Sequence, residues 1–359
     1  MLTMNSLGAK IYTAIIKNLT KRQLIYRMLT DTAFSNRVAE QERNIEQVLH
    51  HVHNYLTKPN LVVMHLVGGL GNQMNLYVFG KALQHKGFDV VFDARVGGYK
   101  GHAKEYRVME GGGDFKKSVK IRNLELINFD ISLPIDLNFD KELFFDLVDK
   151  DRAKIPANER LKYPYKFLMN SEQVYSLDNI APYTYFNGYG NVSYLKLLHS
   201  EIRKDFQLKV PLSPSNVALK KHILDTQDSI FLHIRRGDYL ALKHIYVQLG
   251  GKYYSCAITH IKSKIAKPHI FVFSNDIVWC ERQFLATLSD ECKKGVEFEF
   301  VANNGEGNAA QEMELMRSCQ HAIIANSTFS WWAGYLIDNP NKIVLAPNND
   351  GTNFTLQTY

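Results

Sequence analysis

The sequence predicts an α/β protein with two doubly wound parallel sheets, and three observations carry that prediction. The first is the stretch SIFLHIRRGDY at 229–239, an apolar run that ends abruptly in charge. Its continuous, β-branched character is typical of a strand buried on both faces of a parallel sheet. The second is the regular alternation of helical and strand patterns after it. The third is another strand, glycine turn and helix that begin near residue 61.

Length and composition set the domain organisation. The chain has 359 residues, of which 45% are hydrophobic, enough for a large core and two domains. Prolines and serines interrupt the pattern at 210–214, which is the best candidate for a boundary. We therefore predict a helical basic extension at 1–60, a first Rossmann-like domain at 61–210 and a second at 211–359.

Charge and cysteine usage exclude several classes of function. The net charge is +7, and the first 60 residues hold eight Lys/Arg against four Asp/Glu, so the body of the chain is nearly balanced. No stripe of basic residues with interleaved aromatics suggests a nucleic-acid partner. The four cysteines have no paired spacing, which argues against zinc ligation and against a disulfide framework. With no bilayer-length apolar run and no signal peptide, we expect a cytoplasmic protein.

The first 60 residues contain two amphipathic segments, at 10–29 and 45–56. Basic residues lie among the apolar ones at 10–29, which permits peripheral contact with an anionic membrane surface or a partner. The simpler interpretation, which we favour, is a helical arm packed on its own domain. The spacing of His50, His51 and His53 is weak evidence for a metal site, and these residues are interpreted as solvated surface histidines.

A glycine-rich turn, GGLGNQM at 68–74, follows the predicted strand at 61–67 and opens a helix. Glycines there let the backbone approach a ligand at a helix N-terminus, where amide groups attract anions. A dinucleotide fold is the rival interpretation, with Asp93 placed where such folds bind ribose. Met74 stands where that fingerprint needs its third glycine. The glycine-rich basic loop at 97–114 is interpreted as a closing loop or an exposed connection, and Asp149-Lys150-Asp151 only superficially resembles an Asp-x-Asp metal motif.

Three predicted strands of the second half end in polar residues. In open α/β sheets ligands bind outside the carboxyl ends of the strands. Two arginines placed there can grip phosphoryl oxygens and neutralise charge as a nucleotide leaves. Taken singly, each end also fits a helix cap or a structural ion pair, in which Asp238 would be one partner of the arginines. Taken together they favour a nucleotide diphosphate, and the candidate residues are Arg235, Arg236, Ser274, Asp276, Asn326, Ser327, Thr328 and Ser330.

Three motifs in the same order resemble the α-1,2-fucosyltransferases of bacteria and animals. They are GGLGNQM at 68–74, HIRRGDY at 233–239 and the run from Leu315 to Trp332 that contains IIANSTFSWW. The resemblance covers residues 61–346. It implies a GT-B enzyme whose first half faces the acceptor and whose second half holds GDP-fucose, with no divalent metal and no other cofactor needed.

The resemblance also implies roles for individual residues. Arg235 and Arg236 would hold the diphosphate, and His233 would support the guanosine end. Glu312 occupies a position where relatives often carry Asp for the guanine edge. From the first half, Asn72 would reach the phosphate. The full predicted donor site comprises Gly69, Gly71, Asn72, Gln73, His233, Arg235, Arg236, Ser274, Asp276, Glu312, Asn326, Ser327, Thr328 and Ser330.

The predicted reaction is an inverting transfer of L-fucose from GDP-fucose to the 2-hydroxyl of a terminal galactose on an oligosaccharide or bacterial surface glycan such as O-antigen. Arg235 and Arg236 would stabilise the leaving GDP. Asp238 is a candidate base for the acceptor hydroxyl or an orienter of the arginines. The resemblance and the missing signal peptide together predict a cytoplasmic enzyme that works near the inner membrane. Two alternatives stay open: an NAD-type oxidoreductase that uses Gly68 to Gly71, and a non-catalytic sugar-nucleotide sensor.

Overall fold

The computed structural model describes residues 58–94, 123–137, 139, 167–170, 177–180, 182, 184–188, 192–241, 246–304 and 307–357. The predicted N-terminal arm, the glycine loop at 97–114 and Asp149 to Asp151 lie outside this part of the chain. The described residues of both sheets belong to one compact unit, which spans 60–139 and 156–359. The predicted division into domains at residue 210 stays a prediction.

The first sheet is wholly parallel among its described strands. These are β1 (Leu61–His65), β2 (Asp89–Asp93), β3 (Ile135–Asp136), β4 (Phe167–Asn170) and β5 (Thr184–Gly188), in the order β3-β2-β1-β5-β4. The central strand β1 is a continuous apolar run and is buried almost throughout, as a strand covered on both faces must be. Helix α1 (Leu70–His85) follows it directly.

The second sheet contains the described strands β6 (Ser229–Ile234), β7 (His269–Ser274), β8 (Glu297–Phe300), β9 (His321–Ile323), β10 (Val344–Pro347) and β11 (Phe354–Leu356). Their order is β11-β10-β9-β6-β7-β8. The direction of winding reverses between β6 and β9, so the topological switch point of this sheet lies beyond their carboxyl ends.

The edge strand β11 runs antiparallel to β10 and was not predicted. The turn between them is short and closed by a hydrogen bond from the Asn348 amide to the Asn353 carbonyl, at 2.9 Å. Gly351 provides the positive φ that the turn requires. Because a connection this short cannot cross over the sheet, the chain returns antiparallel. The predicted α/β class with two doubly wound sheets is otherwise confirmed.

Further helices lie between residues 199 and 336. The described ones are α2 (His199–Asp205), α3 (Pro214–Asp225), α4 (Gly237–Ala241), α5 (Gly251–Lys262), α6 (Ile277–Trp279), α7 (Leu285–Thr287), α8 (Asp290–Lys293), α9 (Ala309–Arg317) and α10 (Thr328–Leu336). A π-helical segment, Cys280–Phe284, joins α6 to α7. Ser213 caps α3 by accepting a hydrogen bond from the Asn216 amide, and Pro214 takes the first helical position.

One apolar cluster joins the two sheets. It contains Val62 of β1, Phe79 of α1, Phe231 of β6 and Trp332 of α10, all fully buried. A second cluster fills the other face of the second sheet, beneath α5. The four cysteines are free, in agreement with the predicted absence of a disulfide framework. Because α1 and α10 pack together in the same core, their N-termini are held in a fixed arrangement relative to each other.

Candidate functional site

The candidate site lies at the switch point of the second sheet, where the segments after β6 and β9 meet. Arg235 and Arg236 follow β6, Asn326 and Ser327 lie between β9 and α10, and Thr328 is the first residue of α10. A hydrogen bond at 3.1 Å from the Tyr239 hydroxyl to the Asn326 carbonyl ties the two segments together. The sequence prediction that these strand ends share one edge of the sheet is therefore confirmed.

Arg236 is held from two sides. Its guanidinium carbon lies 3.7 Å from the centre of the Trp279 ring, close enough for cation–π stacking. Its Nε donates to the Asp276 carboxylate at 3.3 Å. Trp279 was missed in the sequence analysis, although an aromatic residue three positions after a polar strand end was a usable signal. The stacking and the ion pair fix the plane of the guanidinium before any ligand arrives.

Arg235 forms the centre of a small electrostatic group. Its guanidinium carbon lies 5.4 Å from the centre of the Tyr239 ring, and Tyr239 stacks on Tyr246 with ring centres 4.1 Å apart. Burial, aided by the positive charge of Arg235, lowers the pKa of His233 to about 3, so this imidazole is neutral at pH 7. Burial raises the pKa of Glu312 to about 7, and Arg235 opposes that rise. Predicted residues from β6 and α9 thus influence one another directly.

The segment after β7 braces the segment after β6. The Asn275 side-chain oxygen accepts from the Arg236 amide at 3.0 Å, and a Cβ added to Gly237 would lie 2.2 Å from Asn275 Nδ2. The Ser274 hydroxyl accepts from the Asp276 amide at 3.0 Å, and Asp276 itself caps α6 by accepting from the Trp279 amide. Ser274 and Asp276 were predicted to contact the sugar donor, GDP-fucose. In this structure they position Arg236.

The N-terminus of α10 points toward the same region. The Ser327 side chain makes no capping hydrogen bond, and the Thr328 hydroxyl donates to Asn72 Oδ1 at 2.9 Å. Ser330 is fully buried, and its hydroxyl donates to the carbonyls of Ala325 and Ser327. Ser330 therefore shapes the turn from within rather than facing a ligand. Asn326 donates from its side chain to the Val247 carbonyl at 2.8 Å.

The N-termini of α1 and α10 abut each other at Gly71. A Cβ on Gly71 would lie 2.4 Å from the Phe329 amide nitrogen and 2.5 Å from the Thr328 carbonyl carbon. A Cβ on Gly69 would meet nothing within 4 Å, and Gly68 adopts a φ of +79°. Of these glycines, Gly71 is needed for close helix approach and Gly68 for backbone conformation. Two helix N-termini, both carrying partial positive charge, thus lie side by side.

Gln73 lies inside the protein, only 1% exposed. Its amide group donates to the carbonyls of Gly68 and Asn123, at 2.9 and 2.8 Å. Its carbonyl accepts from the amides of Glu125 and Leu126, both at 3.1 Å. Every hydrogen-bonding atom of this side chain is therefore engaged within the chain, so Gln73 positions the glycine turn.

The far end of α10 is anchored by two cations. Arg203 donates to the carbonyls of Tyr335 and Leu336 at 3.1 and 3.2 Å, and Lys342 donates to the Tyr335 carbonyl at 2.6 Å. Burial lowers the pKa of Lys342 to about 8. Cations at a helix C-terminus complement its dipole. On the side of α10, Trp332 Nε1 donates to Asn75 Oδ1 at 2.7 Å, which attaches the helix to α1.

Two acidic residues had predicted roles, Asp238 as a base and Asp93 as the ribose-binding acid of the rival dinucleotide interpretation. The backbone of Asp238 lies in α4, but its side chain falls outside the described part of the molecule. Asp93 is fully buried and accepts from the Tyr185 hydroxyl at 2.7 Å. With Gly71 packed against α10 as well, the structure gives no support to the dinucleotide interpretation.

A family model described as glycosyl transferase family 11 matches residues 61–357. The chain belongs to glycosyl transferase family 11. The matched region contains both sheets and the whole candidate site. The match confirms the resemblance based on the three motifs. The extension before residue 61 lies outside the match.

Several proteins are similar to this family 11 chain. An alpha-1,2-colitosyltransferase of Escherichia coli is 28% identical over 300 residues, 80% of this chain and 91% of that protein. The O-antigen biosynthesis glycosyltransferase WbnK of Escherichia coli is 37% identical over 132 residues, 36% of this chain. The mouse galactoside 2-alpha-L-fucosyltransferase Sec1 is 28% identical over 164 residues, 43% of this chain. The matches span only 41% of WbnK and 42% of Sec1.

Among solved structures, the alpha-1,6-fucosyltransferase NodZ aligns with 84% of this chain and 99% of its own, with a TM-score of 0.46 and 14% identity. A similarity at that level does not bear on function. Among the described helices of this family 11 chain, none has the length and apolar character needed to cross a bilayer.

Proposed function

We propose that this protein transfers L-fucose from GDP-fucose to the 2-hydroxyl of a terminal galactose, with inversion at the transferred carbon. The observation that carries the proposal is the meeting of two arginines with two helix N-termini at one switch point. That arrangement concentrates positive charge where a nucleotide diphosphate would lie. The names of relatives such as Sec1 supply the sugar and the linkage.

The proposed chemistry follows from where charge develops. As the bond between the fucose C1 and the phosphate oxygen breaks, positive charge builds on the sugar and negative charge on GDP. Arg235, Arg236 and the N-termini of α1 and α10 stabilise the GDP charge more strongly in the transition state than in the bound substrate. Trp279 and Asp276 hold Arg236 in place beforehand, so little reorganisation accompanies the reaction. With this much protein charge at the diphosphate, we expect the transfer to need no divalent metal.

The other predicted residues take subsidiary roles in this proposal. Asn72 and Thr328 join the two helix N-termini at the phosphate side. His233, which is neutral, and Glu312, whose pKa is raised to about 7, lie beside Arg235 and would face the guanosine. Gln73, Ser274 and Ser330 act as positioning residues, because their polar atoms are used within the protein. Asp238 remains the candidate base for the acceptor hydroxyl.

Colitose is a second candidate for the transferred sugar. The relative whose alignment covers 91% of its own length is named an alpha-1,2-colitosyltransferase. L-Colitose differs from L-fucose by the absence of one ring hydroxyl, so the proposed diphosphate site would accept the GDP ester of either sugar. The acceptor glycan and contact of residues 10–29 with the inner face of the cytoplasmic membrane likewise belong to the proposal.

The decisive experiment mixes purified protein with a galactose-terminated oligosaccharide and either GDP-fucose or GDP-colitose, in the presence of EDTA. Released GDP and the linkage of the product would be measured together. We expect a 2-linked product and undiminished turnover in EDTA. Arg235→Ala should slow GDP release about 10²-fold, whereas Arg282→Ala, which removes an exposed arginine of the same half, should leave it unchanged.

Each other result contradicts a defined part of the proposal. Binding of GDP-fucose without any product, across a panel of acceptors, would favour a sensor. Faster turnover of GDP-colitose than of GDP-fucose would make colitose the transferred sugar. Loss of transfer in EDTA would overturn metal independence, and a fully active Arg235→Ala variant would overturn the placement of the diphosphate.

A further inference from the structure

At the opposite edge of the second sheet lies a cluster of side chains that the transfer reaction does not use. We propose that His222, His269 and Glu299 bind a late first-row divalent cation of the zinc class. One ligand atom from each residue lies within 4.8 Å of the other two. The three residues come from three different elements, namely α3, β7 and β8.

The distances already suit a tetrahedral ion. His222 Nε2 lies 2.9 Å from Glu299 Oε2, and His269 Nε2 lies 3.4 Å from the same oxygen. Ligand atoms around a zinc ion with bonds of 2.0–2.1 Å are about 3.3 Å apart. Two imidazole nitrogens and a carboxylate oxygen are a ligand set that zinc, cobalt and nickel accept, with water in the remaining position.

The second nitrogen of His269 has a partner of the right kind. Its Nδ1 lies 3.5 Å from Glu297 Oε2, on the neighbouring strand. Histidines that bind metals usually face a carboxylate or carbonyl with the other ring nitrogen, which fixes the tautomer and raises the basicity of the ligand. In this arrangement Glu297 would favour the Nδ1–H tautomer, which leaves Nε2 of His269 available for a cation.

Phe271 fixes the orientation of both imidazoles. This fully buried ring stacks on His269 with centres 4.5 Å apart, and it meets His222 edge-on at 5.5 Å. The side chain of His269 is only 12% exposed, whereas that of His222 is 50% exposed. One ligand is therefore rigid and the other reachable from solvent, which gives a cation a path of entry.

A cation here would act on the structure rather than on the transfer. Strand β8 is at the edge of the described sheet, paired only with β7 among the described strands, and the cation would join it to α3. His269 begins β7 and Ser274 ends it, so the two sites are separated by five strand steps, or about 16 Å. We therefore expect the cation to stabilise the second half without entering the chemistry.

The test measures binding of Zn²⁺ to the 359-residue chain after EDTA treatment and dialysis. Titration calorimetry should give one strong site, and saturating Zn²⁺ should raise the melting temperature by about 2–4 °C. Absorption by Co²⁺ in the same protein should report a tetrahedral site with nitrogen ligands. His222→Ala should weaken binding at least tenfold and abolish the rise in melting temperature, and Glu299→Gln should act in the same direction.

Two matched variants separate this site from other histidines. Triple replacement of His50, His51 and His53 by Ala removes the histidine-rich stretch of the N-terminal extension and should leave the strong site intact. His85→Ala breaks an exposed histidine–glutamate pair, with Glu201 at 2.7 Å, and should also leave it intact. Unchanged Zn²⁺ binding in His222→Ala, loss of the strong site in the triple variant, or no strong site in the wild-type protein would each overturn the proposal.

Discussion

The two turns that follow β1 and β6 occupy equivalent places, each after the strand beside its sheet's switch point, but they contribute different things. The turn after β1 carries no charged side chain between residues 68 and 74. The side chain of Gln73 forms hydrogen bonds within the protein, and the backbone of α10 occupies the space that a side chain on Gly71 would need. The turn after β6 carries Arg235 and Arg236, braced by aromatic rings.

This difference indicates a division of labour. The first half supplies a surface shaped to fit α10 and a helix N-terminus that has no side-chain cap, whereas the second half supplies full charges. A charged side chain can be removed without unfolding the protein. A methyl group added at a close backbone contact, in contrast, forces the backbone to move. Substitutions in the second turn should therefore affect transfer, and those in the first should affect stability and transfer together.

The largest effect should come from Arg236. Replacement by Ala removes a guanidinium that we place at the diphosphate, so kcat/KM should fall about 10²–10³-fold, the size typical of losing one preorganised charge donor. The melting temperature should change little, because the side chain is partly exposed and its partner Asp276 is too. Steady-state kinetics and thermal unfolding of the same sample would measure both.

Arg236→Lys sharpens that prediction. Lysine keeps the positive charge but loses the planar fork and most of the stacking on Trp279. We expect a loss of about tenfold, between wild type and Arg236→Ala. If Lys and Ala were equally inactive, geometry rather than charge would be the contribution of this side chain. Full activity in Arg236→Ala would remove Arg236 from the donor site.

The next largest effect should come from Gly71→Ala. The new methyl group would lie 2.4 Å from the Phe329 amide nitrogen, so α10 must shift. Overpacking against backbone should cost about 3 kcal/mol in the free energy of unfolding, and transfer should decline with it. Gly69→Ala is the matched control, since its Cβ would meet nothing within 4 Å and its φ is −73°. Equal denaturant midpoints for the two variants would contradict the close approach of α1 and α10.

The second half was predicted from sequence far better than the first. Strands β6, β7 and β9 lead into polar motifs with strong local signals, and Ser274, predicted at a polar strand end, is the last residue of β7. In the first half, β3, β4 and β5 were not predicted. β3 has only two residues, Ile135–Asp136, and β5 mixes aromatic and polar residues, so periodicity could not reveal them. Their pairing depends on neighbours distant in the chain.

The candidate site shows the same limit. Arg235, Arg236 and the 326–328 segment were found because polar residues after apolar strands are a local pattern. The internal role of Gln73 was missed because its partners are about 50 residues away, at Asn123 and Glu125. The contact of Gly71 with α10 was missed for the same reason, because α10 is far from Gly71 along the chain. A glycine in a turn also has several possible uses, so the residue type alone did not reveal the contact.

A smaller effect is expected for Gln73→Leu, which tests the first turn through hydrogen bonding instead of packing. The change leaves two carbonyls and two amides without their side-chain partner, in a site 1% exposed. We expect a loss of about 2 kcal/mol in unfolding free energy. Gln283→Leu, at an exposed position of the π-helical segment, should be nearly neutral. A Gln73→Leu variant as stable as wild type but unable to bind GDP would make Gln73 a direct ligand after all.

Glu312 tests the charge of the second half through pH. Because burial raises its pKa from 4.5 to about 7, the folded protein retains a proton that the unfolded chain releases as pH rises from 4.5. Glu312 should therefore lower stability progressively across that window and by a constant amount above pH 7. Glu312→Gln lacks this slope, so wild-type stability minus that of the variant should decline between pH 5 and 7 and then level off.

Subtracting the two stability curves also removes the contribution of His233, whose low pKa is common to both proteins. A difference that does not vary between pH 5 and 7 would mean that Glu312 is already ionised in the folded protein. GDP provides a further test of the comparison between the two turns. If the diphosphate neutralises Arg235, the attraction that holds the Glu312 pKa down is lost, and the declining part of the curve should move to higher pH. An unmoved curve with GDP bound would place the diphosphate away from Arg235.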